Sequence, residues 1–129
     1  MYGTTKGGAV TPHTLKFHRK LEGNLQNVFN ELAEYDDFYV KEIGTYSYRR
    51  VVGNPNRLSN HSYGIAIDVN PQCNPYIKNG KVLGGHNVYD QDLSIRSSSD
   101  KVVRTFAKYG FGWGGSYKDY MHFSYFDVR

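Results

Sequence analysis

Two imidazoles and two carboxylates stand in a pair of well-separated segments, Ser59-Asn-His61-Ser-Tyr-Gly64-Ile-Ala66-Ile-Asp68 and Asp119-Tyr-Met-His122. A catalytic zinc takes three protein ligands from nitrogen or oxygen donors and keeps a fourth position for water. His61, Asp68 and His122 meet that count, and Asp119, just upstream of the last of them, is left over in the place of a general base. Cys73 is the only cysteine, which rules out an internal disulfide and a cysteine-type structural zinc site.

These groups need elements that aim them at one point. Ile65-Ala-Ile-Asp-Val69 alternates with the period of a strand, so Ile65, Ile67 and Val69 face a core while Ala66 and Asp68 face away from it. Met121-His-Phe-Ser-Tyr-Phe126 reads as a second strand, with His122, Ser124 and Phe126 on one side and Met121, Phe123 and Tyr125 on the other. Two such strands side by side would direct Asp68 and His122 at one ion. His61 lies in the polar approach to the first strand, where Gly64 permits a tight turn back over the site.

The pattern Ser-x-His-x-x-Gly-x-Ala-x-Asp, followed far downstream by a tryptophan and Asp-x-Met-His-Phe, resembles the zinc D-Ala-D-Ala carboxypeptidase family, which includes VanY-like enzymes and phage L-alanyl-D-glutamate endolysins. The resemblance runs from about Thr45 to Phe123, most of the chain. It implies that His61, Asp68 and His122 are zinc ligands, that Asp119 is the catalytic base, and that Arg49 in Thr45-Tyr-Ser-Tyr-Arg-Arg50 binds the substrate carbonyl, with Arg50 the neighbouring candidate. Ser59 gains a role at the substrate or the metal edge, and Trp113 that of a pocket wall. Ser124 stands where the family often has a glutamate. The implied chemistry is single-step hydrolysis of a peptide bond in peptidoglycan stems, either the terminal D-Ala-D-Ala bond or the L-Ala-D-Glu bond. The sequence offers no recognisable serine or cysteine nucleophile arrangement for a covalent alternative. A non-catalytic zinc-containing binding module, as in Hedgehog-type domains, is the competing reading, and the presence of Asp119 speaks against it.

Each of these residues also has a plainer reading. A histidine taken singly is more often a surface or hydrogen-bonded core residue, Asp119 can serve as a cap, Arg49 and Arg50 as a solvated basic pair, Ser59 as a turn cap and Trp113 as packing. The full constellation is what favours the metal. His18 and His13 are poorly spaced for a metal pair and read as structural, His86 as a surface loop residue, and Cys73 as a spectator.

Composition bounds the rest. A chain of 129 residues forms one domain and can bury about two-thirds of its unfolded surface. A net charge of +4 and a pI near 9.1 favour anionic partners, nucleic acid and bacterial wall alike. The basic residues are scattered, and no nucleic-acid motif accompanies them, so nucleic acid is not an expected partner; the peptidoglycan stem peptide is the partner that the resemblance implies. Gly110-Phe-Gly112-Trp-Gly-Gly115 formally fits a dinucleotide pattern, but it follows a predicted helix instead of linking a strand to one. The glycines are better read as allowing Trp113 and Asp119 to approach the metal. No apolar stretch approaches the ~20 residues that span a bilayer, and Met1 to Gly8 lacks the apolar core of a signal peptide. The resemblance implies action on the bacterial cell wall, which a chain without such a signal would reach by phage release or as a domain cut from a longer exported chain; a monomer is expected.

The predicted fold is a single α+β domain over residues 1–129, with residues 1–11 flexible. A small antiparallel sheet carries the zinc site and the helices pack on its other face, the Hedgehog/DD-peptidase arrangement by resemblance. Thr11-Pro12 should open a helix over about His13 to Glu34, with Leu15, His18, Leu21, Leu25, Val28, Phe29 and Leu32 along one stripe. Phe38–Ile43 is a predicted strand, Gly53–Arg57 a loop, Asn79-Gly80 a hairpin turn, and Ser97–Asp100 the cap of a second helix from Lys101 to Tyr109 that Gly110 stops.

Overall fold

The computed structural model describes residues 2–6, 9–13, 18–35, 37–44, 50–51, 54–58 and 65–125; over 2–13, 50–51 and 54–58 it describes the backbone alone. Strands β1 (Tyr2–Lys6) and β2 (Ala9–His13) pair antiparallel. A 3-10 turn (Arg19–Leu21) leads into helix α1 (Glu22–Leu32), followed by β3 (Ile43–Gly44), β4 (Arg50–Val51), β5 (Asn54–Leu58) and β6 (Ala66–Val69). The hairpin β7 (Tyr76–Lys78) and β8 (Lys81–Gly84) precedes helix α2 (Lys101–Lys108), β9 (Phe111–Trp113), a 3-10 turn (Gly114–Tyr117) and β10 (His122–Tyr125). The central sheet has the order β3-β6-β10-β9, with every neighbouring pair antiparallel. Among the described residues, the mixture of two helices with small antiparallel sheets is the α+β architecture expected from the sequence.

Alternation within β6 and β10 decides which face of the sheet meets the helices. Ile67 and Val69 from β6 and Phe123 from β10 join one core with Leu25, Val28, Phe29 and Leu32 of α1 and Val102, Val103 and Phe106 of α2. The rings of Phe106 and Phe123 stack at 3.9 Å between centroids, and Phe111 of β9 meets Phe106 edge-on at 5.9 Å. Both helices therefore cover the face opposite Asp68 and His122. Phe106 is fully buried at the centre of this contact. Truncation to alanine removes the stack and leaves a cavity, so Phe106→Ala should lower stability by about 3–5 kcal/mol in denaturant titration.

Helix α2 starts and stops as its sequence indicates. The Asp100 carboxylate accepts from the Val102 N–H at 2.8 Å, and Gly110 follows the last turn with φ +94°. The turn between β7 and β8 has Asn79 at φ +52° and Gly80 at φ +75°, the paired positive values of a primed hairpin turn.

Three expectations are corrected. Thr11 and Pro12 lie in β2 and open no helix; Pro12 pairs with Gly3 in a two-stranded ribbon, where proline is tolerated because its missing N–H can face away from the partner. Among the described residues the first helical turn is at Arg19, where the Nδ1 of His18 accepts from the Lys20 N–H at 3.2 Å and caps the 3-10 turn; Leu15, at the start of the predicted stripe, lies outside the described residues. Of the predicted loop Gly53–Arg57, residues 54–57 belong to β5, which pairs with β4, and Gly53 lies outside the described residues. Of the predicted strand Phe38–Ile43, Ile43 alone is paired in a strand, because the backbone before it is bonded by a side chain: Lys41 and Glu42 N–H groups donate to Asn70 Oδ1 (2.7 and 3.2 Å), and Asn70 Nδ2 donates to the Tyr39 carbonyl (2.9 Å).

Candidate active site

Asp68 and His122 are direct cross-strand partners on β6 and β10. The Val69 N–H donates to the Met121 carbonyl (2.8 Å) and the Tyr125 N–H to the Ile65 carbonyl (2.9 Å), which identifies these as the hydrogen-bonded pairs of the ladder. The Asp68/His122 pair falls between them in the alternation, at a non-hydrogen-bonded position where side chains stand closest. His122 Nδ1 lies 3.3 Å from Asp68 Oδ1, with the side chains only 11% and 17% exposed. On its other side Asp68 faces Gly44 of β3, so His122 is the one cross-strand neighbour that brings it a side chain.

Asp119 enters through the turn that feeds β10. Its carbonyl accepts from the His122 N–H (3.2 Å), and its own N–H donates to the Gly114 carbonyl (3.0 Å). A β-carbon added to Gly114 would lie 2.7 Å from the Asp119 carbonyl oxygen and 3.1 Å from its Cβ, so a glycine is required where these two backbones meet. The glycine-rich segment thus packs against the residue it was expected to admit. Trp113 secures the same turn: its Nε1 donates to the Tyr120 carbonyl at 2.9 Å, while its ring packs against the core.

Ser59, His61 and Arg49 lie outside the described residues, and of Arg50 only the backbone in β4 is described. Among the described residues no three His, Cys, Asp or Glu side chains gather as a metal-holding group. Asp68 and His122 are the two members of the expected ligand set that the described residues contain, and the sheet holds them together. His86 is exposed on its loop. Cys73 is buried, its thiol pushed up chiefly by burial, and its Sγ donates to the Asn70 carbonyl at 3.6 Å.

Two asparagines not singled out from the sequence hold the chain that follows Asp68. Asn70, with φ +48°, binds the 39–42 backbone as described above. Asn74 is fully buried; its Nδ2 donates to the carbonyls of Val69, Asn70 and Leu93, and its Oδ1 accepts from the Ile95 N–H (2.6 Å) and from the Arg96 guanidinium (2.9 Å). Arg96 also donates to the Cys73 carbonyl and lies over the Tyr120 ring, 4.9 Å from its centroid. Their only sequence signal was an asparagine before each of two prolines. Asn74→Ala would strand several buried polar groups, each costing about 1–3 kcal/mol when unsatisfied. A stability loss of about 3 kcal/mol is expected in denaturant titration.

An α+β domain whose central strands hold a carboxylate against an imidazole, with a second aspartate leading into the same strand, has the donors of a hydrolytic site. A family model described as D-alanyl-D-alanine carboxypeptidase matches residues 53–125, more than half of the chain. The chain belongs to this peptidase family. Asp68, Asp119, His122, Ser59, His61 and Trp113 all fall within the match, whereas Arg49 and Arg50 precede it. None of the curated proteins searched matches the chain. No helix among the described residues is long and apolar enough to cross a membrane.

Proposed function

We propose that this chain is a zinc-dependent peptidase of peptidoglycan stem peptides, with the Hedgehog/DD-peptidase arrangement as its fold. The observation that carries the reading is the 3.3 Å between His122 Nδ1 and Asp68 Oδ1. A charge-assisted N–H···O hydrogen bond closes to about 2.7–2.9 Å. Two donors each about 2.0–2.1 Å from one tetrahedral zinc stand about 3.3 Å apart. The spacing of the pair suits two ligands of one ion as well as a hydrogen bond between them, and its nitrogen and oxygen donors suit zinc. His61 would be the third ligand.

When bound, zinc polarises a peptide carbonyl and lowers the pKa of water toward ~7. Asp119 accepts the proton of the attacking water and returns it to the leaving amine. Arg49, or Arg50 as the neighbouring candidate, would stabilise the charge that grows on the carbonyl oxygen. Ser59 and Trp113 border the substrate. The substrate bond is either D-Ala-D-Ala or L-Ala-D-Glu, and the site of action is the bacterial cell wall, reached by phage release or as part of an exported chain. We take the protein to work as a monomer without nucleic acid.

Turnover of muropeptides should vanish with a chelator and return on addition of zinc; activity that persists in the fully demetallated protein would contradict the proposal. Arg49→Ala should reduce kcat by about 10²–10³-fold, the loss found when one oxyanion donor is removed. An unchanged rate would move that role to Arg50.

A further inference from the structure

We infer that Tyr76 forms the wall of the subsite that receives the alanine methyl on the carbonyl side of the scissile bond, an inference that rests on the peptidase reading above. After Asp68 the chain leaves the sheet over residues 70–75 and then pairs a second time with the segment that leads into β10. Tyr76 and Asp119 form an isolated antiparallel bridge, with the Ile77 N–H donating to the Lys118 carbonyl (2.9 Å) and the Tyr120 N–H to the Pro75 carbonyl (3.1 Å). These two bonds flank the Tyr76/Asp119 pair, so it too is a non-hydrogen-bonded pair whose side chains rise close together on one face. The device that sets Asp68 beside His122 thus recurs a few residues away and sets Tyr76 beside the proposed base.

The neighbour of Tyr76 on β8 carries no side chain. This neighbour is Gly84, where an added β-carbon would meet only Tyr76 Cβ and the Met121 methyl, each at 3.7 Å. Tyr76 and Asp119 are both half-buried, so part of each residue remains exposed at this pair. Substrate bound within reach of Asp119 must pass along the Tyr76 ring. Both candidate bonds, D-Ala-D-Ala and L-Ala-D-Glu, place an alanine on the carbonyl side, so a small apolar wall at this point suits either. The ring, not the hydroxyl, supplies the contact.

The test compares kcat/KM for two synthetic stem peptides that differ only in alanine or glycine on the carbonyl side of the cleaved bond. The loss of one methyl from an apolar subsite costs about 10-fold or more, so the wild type should prefer alanine by about that factor. Tyr76→Phe should keep the preference and Tyr76→Ala should bring it close to 1. Tyr76→Trp, which fills the subsite without shortening the side chain, should reverse it toward glycine and serves if the alanine variant does not fold. Lys81→Ala, at the exposed hairpin tip, should behave as wild type. A wild-type preference that survives in the alanine and tryptophan variants overturns the assignment of Tyr76 alone. A wild type that cleaves neither peptide overturns the peptidase reading and this inference with it.

Discussion

His122→Ala is expected to leave the protein folded, without bound zinc and without activity above the uncatalysed background. The expectation follows from where the imidazole stands. It is mostly buried, 3.3 Å from Asp68 at the close-pair position of the β6/β10 ladder, and no other described histidine lies with it. Phe123, the neighbour that anchors β10 to α2, faces the opposite side of the strand and keeps its stack on Phe106. The fold should therefore tolerate the change far better than the site. Asp68→Ala should give the same metal loss from the other strand. If the two side chains are merely an ion pair that holds the sheet together, both variants would lose stability while zinc content stays at one per chain. Metal analysis after dialysis, alongside a denaturant titration, separates these cases.

Asp119→Ala is expected to behave differently, retaining zinc while turnover falls by about 10²–10⁴-fold, the usual contribution of a positioned general acid–base. The backbone of this residue is fixed independently of its carboxylate, through the Gly114 carbonyl, the His122 N–H and the strand pairing with Tyr76. Alanine keeps all of these bonds, so the turn that delivers His122 should survive. Loss of zinc along with activity would make Asp119 a metal ligand. Unchanged turnover would assign the proton transfer to another group.

The parts of this arrangement that were legible in the sequence are those written in local periodicity. Ile65–Val69 and Met121–Tyr125 alternate strictly, which fixed the faces of Asp68 and His122, and two antiparallel strands could then bring them together. Asp100 and Gly110 likewise announced the ends of α2, because capping depends on neighbours within a turn. What escaped was set by distant partners. Asn70 reaches back to the backbone at residues 39–42, and Asn74 joins residues on both sides of the hairpin β7/β8, contacts that no spacing rule encodes. The same side chain explains the misreading of Phe38–Ile43 as a strand, because Asn70 took up the backbone groups that a strand would have offered. Tyr76 was visible only as part of a hairpin, since its place beside Asp119 depends on the second pairing after residues 70–75. At the N-terminal end, Thr11-Pro12 carried a sound helix-start signal that pairing with β1 overrode.

Mass spectrometry of defined muropeptides incubated with the zinc-loaded protein and, in parallel, with Asp119→Ala tests the central claim most directly, because product masses report cleavage and the bond chosen at once. The expected result is a new product with the wild type, either loss of the terminal alanine or release of the stem beyond L-Ala, and almost none with the variant. Intact substrate in the presence of stoichiometric zinc would contradict it and leave a zinc-containing binding module in place of an enzyme.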